Sequence, residues 1–284
     1  IAITQAITKL AQAKGVKFIQ GINCEEIVQT AGKVSGVRLS TGETIQTQAV
    51  VFNGDAMALQ TGLLGQANQH AVQITQTTRS LSAITWSMLA KPSGFPLVRH
   101  NVFFNRDYDS EFTDIFYRKR LPQHPTVYIC AQDQTDTTSS HSEGERLLCL
   151  VNAPAIGDRQ QPTLSEIESC QEKSFSLLEH CGLNLSLEEA TVTRTTPQNF
   201  HRLFPATGGA LYGQANHGWM DTFRRPAAQT AITGLYLAGG SAHPGAGVPM
   251  AALFGRMAAA TLMAHLGLIK KSGRVLISGG TSMH

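Results

Sequence analysis

The residues best suited to chemistry stand together between Gly234 and Arg256, in GLYLAGGSAHPGAGVPMAALFGR. Leu235 to Ala238 read as a strand that runs into a turn holding Gly239, Gly240, Ser241, His243, Gly245 and Gly247. Val248, Pro249 and Met250 then open a helix, and a proline at the first helical position costs no hydrogen bond. Glycines at such a junction let the backbone approach a ligand closely. The free amides at the helix start present positive potential to an anionic or electron-rich group. A reduced flavin, with negative charge on its pyrimidine edge, is one such group. On spacing alone the segment is equally a tight Gly-rich corner. Met250 stands where a third glycine of GxGxxG would fall, so the stretch by itself is no dinucleotide fingerprint.

The elements that must position this turn come in a mixed order. Ile3, Ile7, Leu10 and Ala11 recur at helical spacing, with Gly15 as a stop. Val16–Ile19, CEEIVQT, KVSGVRLS and ETIQTQAVVF read as strands, the last two joined at Thr41-Gly42, a hairpin signal. The meander ends at Val50-Val51-Phe52-Asn53-Gly54-Asp55 and reads as part of a nucleotide-binding α/β layer without its opening strand. From about Thr78 the character changes. LSAITWSMLA places Ile84, Trp86 and Met88 on one face, and HNVFFN, PTVYICAQD and RLLCLVNAP repeat the strand signal. Residues 80–155 therefore predict an antiparallel sheet, a suitable wall for a ligand cavity. Ile167, Cys170, Phe175, Leu178 and Cys181 predict an amphipathic helix over Leu164 to Cys181, stopped by Gly182. After Thr191 the chain reads as loop-rich until the strand and helix of Gly234 to Leu266.

Composition narrows the function classes. The 284 residues are 42% hydrophobic and 15% charged, which supports a sizeable core and argues against disorder. Twenty-three basic against twenty acidic side chains, +3 in all and dispersed, give no nucleic-acid footprint. Five cysteines without CxxC spacing fit buried thiols in a reducing compartment rather than a disulfide framework or a metal site. No secretory signal is visible, and no run of about 18 apolar residues spans a membrane. The chain opens on Ile1 in mid-helix and reads as the C-terminal portion of something longer.

LYLAGG followed by HPGAGVPM resembles the C-terminal flavin-binding signature of the bacterial carotenoid desaturases. The likeness extends through Thr196-Pro-Gln-Asn-Phe200, FPATGGALYG (204–213) and HGWMDTFRRP (217–226). Within that family FPATGGALYG, HGWM and VPMAAL are most similar to the 1-hydroxycarotenoid 3,4-desaturase branch, the hydroxyneurosporene or methoxyneurosporene dehydrogenases. The likeness covers roughly residues 1 to 268. Two features depart from it: the family's N-terminal GxGxxG unit is absent, and the tail RVLISGGTSMH matches nothing expected.

The resemblance implies an α/β fold of α+β mixture. Residues 1–78 and 191–268 would form an incomplete FAD-binding Rossmann-like layer, 79–190 an antiparallel-sheet substrate domain and 269–284 a tail. It implies removal of two hydrogens from adjacent carbons of a polyene, a hydride passing to FAD and a proton leaving. The expected activity is C-3,4 desaturation of an acyclic 1-hydroxy- or 1-methoxy-carotenoid. A phytoene-type desaturase, a carotenoid isomerase or a non-catalytic carotenoid-binding remnant is the alternative, and a chain of this length alone is expected to bind FAD poorly.

The implied cofactor-binding residues are Gly239, Gly240, Ser241, His243, Gly245, Gly247, Val248, Pro249 and Met250. Cys24 and Glu25 join them where this flavoprotein class meets adenine through backbone. Arg225, with Arg224, is a candidate for offsetting charge on flavin or phosphate, and Asp221 for taking the departing proton. His201 and His217 lack metal-ligand spacing and read as structural. Trp86, Met88, Phe104 and Tyr128 are candidates for lining a polyene tunnel. The expected partners are a carotenoid drawn from the membrane and a quinone or oxygen as electron acceptor. The expected location is cytoplasmic, peripheral to the inner or photosynthetic membrane of a bacterium. The expected docking face is Phe95-Pro96-Leu97 with Arg99, Arg118, Lys119 and Arg120.

Overall fold

Two hydrophobic cores organise the chain, one under a five-stranded antiparallel sheet and one around a short parallel pair of strands. The computed structural model describes residues 2–74, 78–134, 144–186, 191–215, 224–243 and 245–268. Asp221, His217 and the tail lie outside the described residues.

Helix α1 (Ala2–Ala13) forms where predicted, but Ile3, Ile7 and Leu10 are all exposed and the helix has no buried residue. Strands β1 (Cys24–Thr30), β2 (Lys33–Leu39) and β3 (Thr44–Gln46) make an antiparallel meander in that order. The predicted hairpin closes with Leu39 N–H donating to the Glu43 carbonyl at 2.8 Å. Two strand predictions fail. Val16–Ile19 takes no strand conformation; Val16, Phe18 and Ile19 are exposed, and no ladder partner lies beside them among the described residues. ETIQTQAVVF is not one strand either. The Thr47 hydroxyl bonds both the N–H and the carbonyl of Ala49, a local alternative to the ladder. The chain breaks there, and β4 (Val50–Phe52) joins a different sheet. Helix α2 (Ala56–Gln60) follows, its N-terminus capped by Asp55, whose Oδ1 accepts from Met57 N–H at 2.9 Å.

The antiparallel region comprises β5 (Ser82–Ala90), β6 (Pro92–Ser93), β7 (His100–Phe103), α3 (Tyr108–Phe112), β8 (Val127–Ala131), β9 (Glu145–Ala153), α4 (Leu164–His180), β10 (Asn184–Leu185) and β11 (Thr191–Thr195). Its main sheet runs β11-β5-β9-β8-β7, and β10 pairs with β6 beside it. The loop expected after Thr191 is therefore an edge strand: TVTRT is polar and mostly exposed, so it carries no apolar alternation to announce it. Helix α4 starts on a capping box. Thr163 Oγ1 accepts from Glu166 N–H at 3.2 Å, and Glu166 Oε2 accepts from Thr163 N–H at 2.7 Å. Such a cap contributes about 1 kcal/mol. The helix buries Ile167, Cys170, Ser174 and Leu178 against the sheet, while Cys181, predicted on that face, is exposed.

Helix α5 (Pro197–Leu203), strand β12 (Leu235–Leu237) and helix α6 (Val248–His265) complete the described elements. Strand β12 runs parallel to β4, pairing Leu235 with Val50, Tyr236 with Val51 and Leu237 with Phe52. Ile27, Leu59, Leu64, Leu235, Leu237 and Phe254 close the second core around this pair. Helix α6 is pinned to β12 by the Tyr236 hydroxyl and His265 Nδ1, 2.8 Å apart.

Candidate functional site

A cavity of about 770 Å³ opens where β4 and β12 both end. In open α/β sheets ligands bind outside the carboxyl ends of the parallel strands, where the turns present backbone amides and small residues. Here Phe52, Asn53, Gly54 and Asp55 line the cavity from β4, and Gly240 and Ser241 from β12. Cys24 and Glu25, at the start of β1, line its other side. Four residues that sequence reasoning drew from two distant segments thus meet in one space.

The turn after β12 is held by specific bonds. Ala238 N–H donates to the Phe52 carbonyl at 2.9 Å, so the parallel ladder continues to the cavity's edge. Gly239 has φ +116°, and a Cβ there would sit 2.7 Å from Asn53 Oδ1. Ala56 N–H donates to Ser241 Oγ at 3.2 Å, tying the turn to the start of α2. Arg225 is buried; it donates from Nη1 to the Gly240 carbonyl at 2.7 Å and from Nη2 to the carbonyls of Tyr212 at 3.1 Å and Gln214 at 2.8 Å. Burial pulls its guanidinium below the ordinary arginine value, and the charge of Asp55 pushes the other way. Both terminal nitrogens of Arg225 are thus engaged by backbone carbonyls, and it positions the turn.

Asp55 and Glu25 bring the cavity's carboxylates. Burial raises the Asp55 carboxyl above the ordinary aspartate range, against the Met57 N–H and the charges of Arg79 and Arg225. Cys24 donates its thiol to the Glu26 carbonyl at 3.8 Å, and burial raises its pKa as well.

The rest of the predicted turn lies outside this lining. His243 donates its N–H to the Pro226 carbonyl at 2.9 Å, and Gly245 packs beside Arg225. Gly247 caps α6 with φ +117° and has open space where a Cβ would go. Val248 and Met250 are exposed, and Pro249 sits in the first turn. His201 Nδ1 accepts from Gly208 N–H at 3.3 Å, a structural bond as expected.

Strand parity separates the tunnel candidates. Trp86 pairs with Cys149 on the α4 side of the sheet and is fully buried, its Nε1 donating to Gln171 Oε1 at 3.0 Å. Met88 shares that core. Neither lines the cavity of about 770 Å³, and period-two alternation puts both beneath α4. Tyr128 pairs with Leu150, and Leu150 with Thr85, on the opposite, open face. Its hydroxyl meets His100 Nδ1 at 2.8 Å. Phe104 is exposed beyond the end of β7. Sequence reasoning missed the third wall of the cavity, which runs from Arg202 through Phe204 and Thr207 to Tyr212 and Gly213. Its one signal was the Gly208-Gly209 pair inside FPATGGALYG.

The residues present fit an elongated nucleotide-bearing group: the cavity joins two backbone-rich edges, and Gly239 sits where a Cβ would crowd Asn53. Among solved structures, an oxidoreductase from Methanosarcina mazei shares the fold at TM-score 0.50 and 18% identity, over 88% of this chain and 51% of that one. No family model matches the chain. It is 54% identical over 282 residues to a hydroxyneurosporene desaturase of Rubrivivax gelatinosus, covering 99% of this chain and 54% of the relative. It is 42% identical to the hydroxyneurosporene desaturase of Rhodobacter capsulatus, over 92% of this chain and 52% of the relative. A 1-hydroxycarotenoid 3,4-desaturase of a Flavobacterium species is 31% identical over 90% of this chain and 52% of its own length.

The class so defined is a mixed α/β chain with antiparallel sheets and a cavity at the ends of parallel strands. Within it, the chain is similar in sequence to the hydroxyneurosporene desaturases and to another carotenoid desaturase, and it spans about half the length of the curated relatives it matches.

Proposed function

We propose that the protein is an FAD-dependent desaturase of an acyclic 1-hydroxy- or 1-methoxy-carotenoid, introducing the C-3,4 double bond. The observation that carries this reading is the convergence of Cys24, Glu25, Gly240 and Ser241 on one cavity at the ends of β4 and β12. The names borne by the 54% and 42% identical relatives support the substrate class. When bound, the flavin supplies the hydride acceptor.

The chain's own residues do the positioning. Cys24 and Glu25 hold one end of the cofactor through backbone, Gly240 and Ser241 the other. Arg225 and Ser241 fix the turn, so that its geometry is set before anything binds. Asn53 and Asp55 offer acceptors to hydroxyl groups of the cofactor. The open face of the sheet, with Tyr128 and Leu150, provides the wall for a rigid polyene and excludes water from it. In this reading 1–78 and 191–268 form the cofactor layer and 79–190 the substrate domain.

A polyene of this class is insoluble in water, so it is drawn from a bilayer by a protein that docks peripherally at the inner or photosynthetic membrane. A quinone or oxygen takes up the electrons. No helix among the described residues is long and apolar enough to cross a membrane. The test is expression of the full-length protein in cells that make hydroxylated neurosporene, with pigment analysis. Accumulation of a pigment lighter by two hydrogens supports the reading; an unchanged pigment profile with soluble, flavin-loaded protein contradicts it.

A further inference from the structure

A second cavity, of about 210 Å³, gathers cations and adjoins the wall of the first through Ser80, whose Oγ accepts from Tyr212 N–H at 3.0 Å. Arg79, Lys119 and Arg159 line it together with Thr78, Ser80 and Phe116. Arg79 is engaged by Asp158, with contacts of 2.6 and 2.8 Å. Lys119 and Arg159 form no ion pair among the described residues. Arg159 acts on Asp158 through space, behind the hydrogen bond from Arg79 that chiefly lowers that carboxyl. Arg79 and Arg159 thus both act on Asp158, Arg79 acts on the carboxylate of Asp55 as well, and Lys119 adds a third cation, with the hydroxyl-bearing Thr78 and Ser80 beside them. Next to the cavity Arg118 and Arg120 share the single carboxylate of Asp114, each at 2.9 Å, so that trio also keeps a net positive charge.

Phe116 connects this cavity to a row of aromatic rings. Phe104, Tyr108, Phe112 and Phe116 contact in sequence, with centroid separations of 5.6, 5.0 and 6.4 Å. Phe104 is 61% exposed, Tyr108 43%, and neighbouring Tyr117 84%. A single exposed aromatic is unremarkable, but a continuous row beside a cationic cavity, exposed at Phe104 and Tyr108 and half-buried at Phe112 and Phe116, has the composition of a membrane interface, where aromatic rings sit at headgroup depth. In the face first expected to dock, Phe95 packs edge-on against Phe103 at 5.1 Å while staying 37% exposed, Leu97 packs half-buried against the sheet core, and Lys119 lines this second cavity.

We propose that the Arg79–Lys119–Arg159 cavity binds the phosphate of an anionic phospholipid headgroup while the Phe104–Phe116 row and Tyr117 enter the bilayer interface. The proposal deepens the membrane-docking part of the function proposed above. Its readout, vesicle binding, does not require desaturation, so the two can fail separately. Ion-pair geometry at phosphate suits the guanidinium of Arg159, and the longer Lys119 stem lets an ammonium follow the headgroup.

The full-length protein is floated with vesicles of phosphatidylcholine alone and of equal parts phosphatidylcholine and phosphatidylglycerol. The expected result is preferential binding to the anionic vesicles. The Lys119→Gln/Arg159→Gln pair weakens it on the order of 30-fold, since each cation near such a surface contributes about 1 kcal/mol. Tyr117→Ser weakens binding to both vesicle types. Equal binding of the double variant and the unaltered protein overturns the cavity's role. Equal binding of the unaltered protein to both vesicle types overturns the headgroup assignment. Competition on the unaltered protein needs no variant to fold: glycerol phosphate displacing it from vesicles supports a phosphate site. Thermal stabilisation by inorganic phosphate without any vesicle binding assigns the cavity to a soluble anion and overturns the lipid.

Discussion

Ser241 Oγ accepts the N–H of Ala56 at 3.2 Å, joining residues 185 apart in sequence at the mouth of the candidate cofactor cavity. The bond gives a buried amide its partner and sets the turn after β12 against the helix after β4. Ser241→Ala leaves that amide without its acceptor, at a cost of about 1–2 kcal/mol. The full-length variant should unfold at lower denaturant and release flavin more readily. A variant with unchanged midpoint and flavin content would show that the turn is held without Ser241, by Arg225 and the bonds of Ala238 and His243.

Gly239 and Gly247 separate two reasons for glycine. Both have positive φ, but a Cβ at Gly239 meets Asn53 Oδ1 at 2.7 Å, whereas one at Gly247 meets nothing within 4 Å. Gly239→Ala therefore combines backbone strain of about 1–3 kcal/mol with a clash against the cavity wall. Gly247→Ala carries strain without the clash and should be the more stable of the two in a urea titration. Gly247→Val should still lose flavin if the α6 start approaches the cofactor through backbone; full retention would confine the cofactor to the Gly240–Ser241 end.

Asp55 makes stability depend on pH in an uncommon direction. Its folded-state pKa is raised by burial, so the native state holds its proton to higher pH than the unfolded state does. Stability from this group is therefore lost as pH rises above the ordinary aspartate value of 3.8. Asp55→Asn keeps an acceptor for the Met57 N–H and removes the titration. The variant's stability should fall less than the parent's as pH is raised from acid towards neutral, measured by urea midpoints across that range. A parallel pair of curves would mean that Asp55 is not desolvated.

Trp86 and Tyr128 lie on opposite faces of one sheet and should respond oppositely to substitution. Trp86→Ala empties a fully buried site and removes the partner of Gln171, costing about 3–5 kcal/mol. Tyr128→Phe removes one hydrogen bond to His100 on the open face and leaves the core intact. Thermal unfolding should register the first change strongly and the second weakly, while carotenoid conversion should be more sensitive to Tyr128 than stability is.

The parts legible in the sequence were those fixed by local chemistry. Gly182 marked the end of α4 and the apolar period of Ile84, Trp86 and Met88 marked a strand, while the Thr163–Glu166 cap at the helix start went unread. The same period could not say which face carried the helix that covers Trp86. Val16–Ile19 had strand composition without a strand to pair with, and TVTRT had a strand partner without an apolar signal. At the site, Gly240, Ser241, Cys24 and Glu25 were legible, but the 202–213 wall was not. Its residues converge through distant backbone ties, such as Arg79 to the Ala206 carbonyl at 3.3 Å and Arg225 to that of Tyr212 at 3.1 Å. Of the five cysteines expected as buried thiols, Cys149 and Cys170 are buried while Cys24 and Cys181 are exposed; burial pushes Cys149 up to about 12 and Cys170 to about 11, out of reach of nucleophilic chemistry at neutral pH.

The central claim is that flavin held at the β4–β12 cavity removes two hydrogens from a 1-hydroxy-carotenoid. The most direct measurement mixes the full-length, flavin-loaded protein without oxygen with liposomes carrying that carotenoid, following flavin absorbance and pigment mass together. The account predicts bleaching of the oxidised flavin band in step with a product two hydrogens lighter. A pigment that changes spectrum at unchanged mass while the flavin stays oxidised would contradict it, and would make the protein an isomerase.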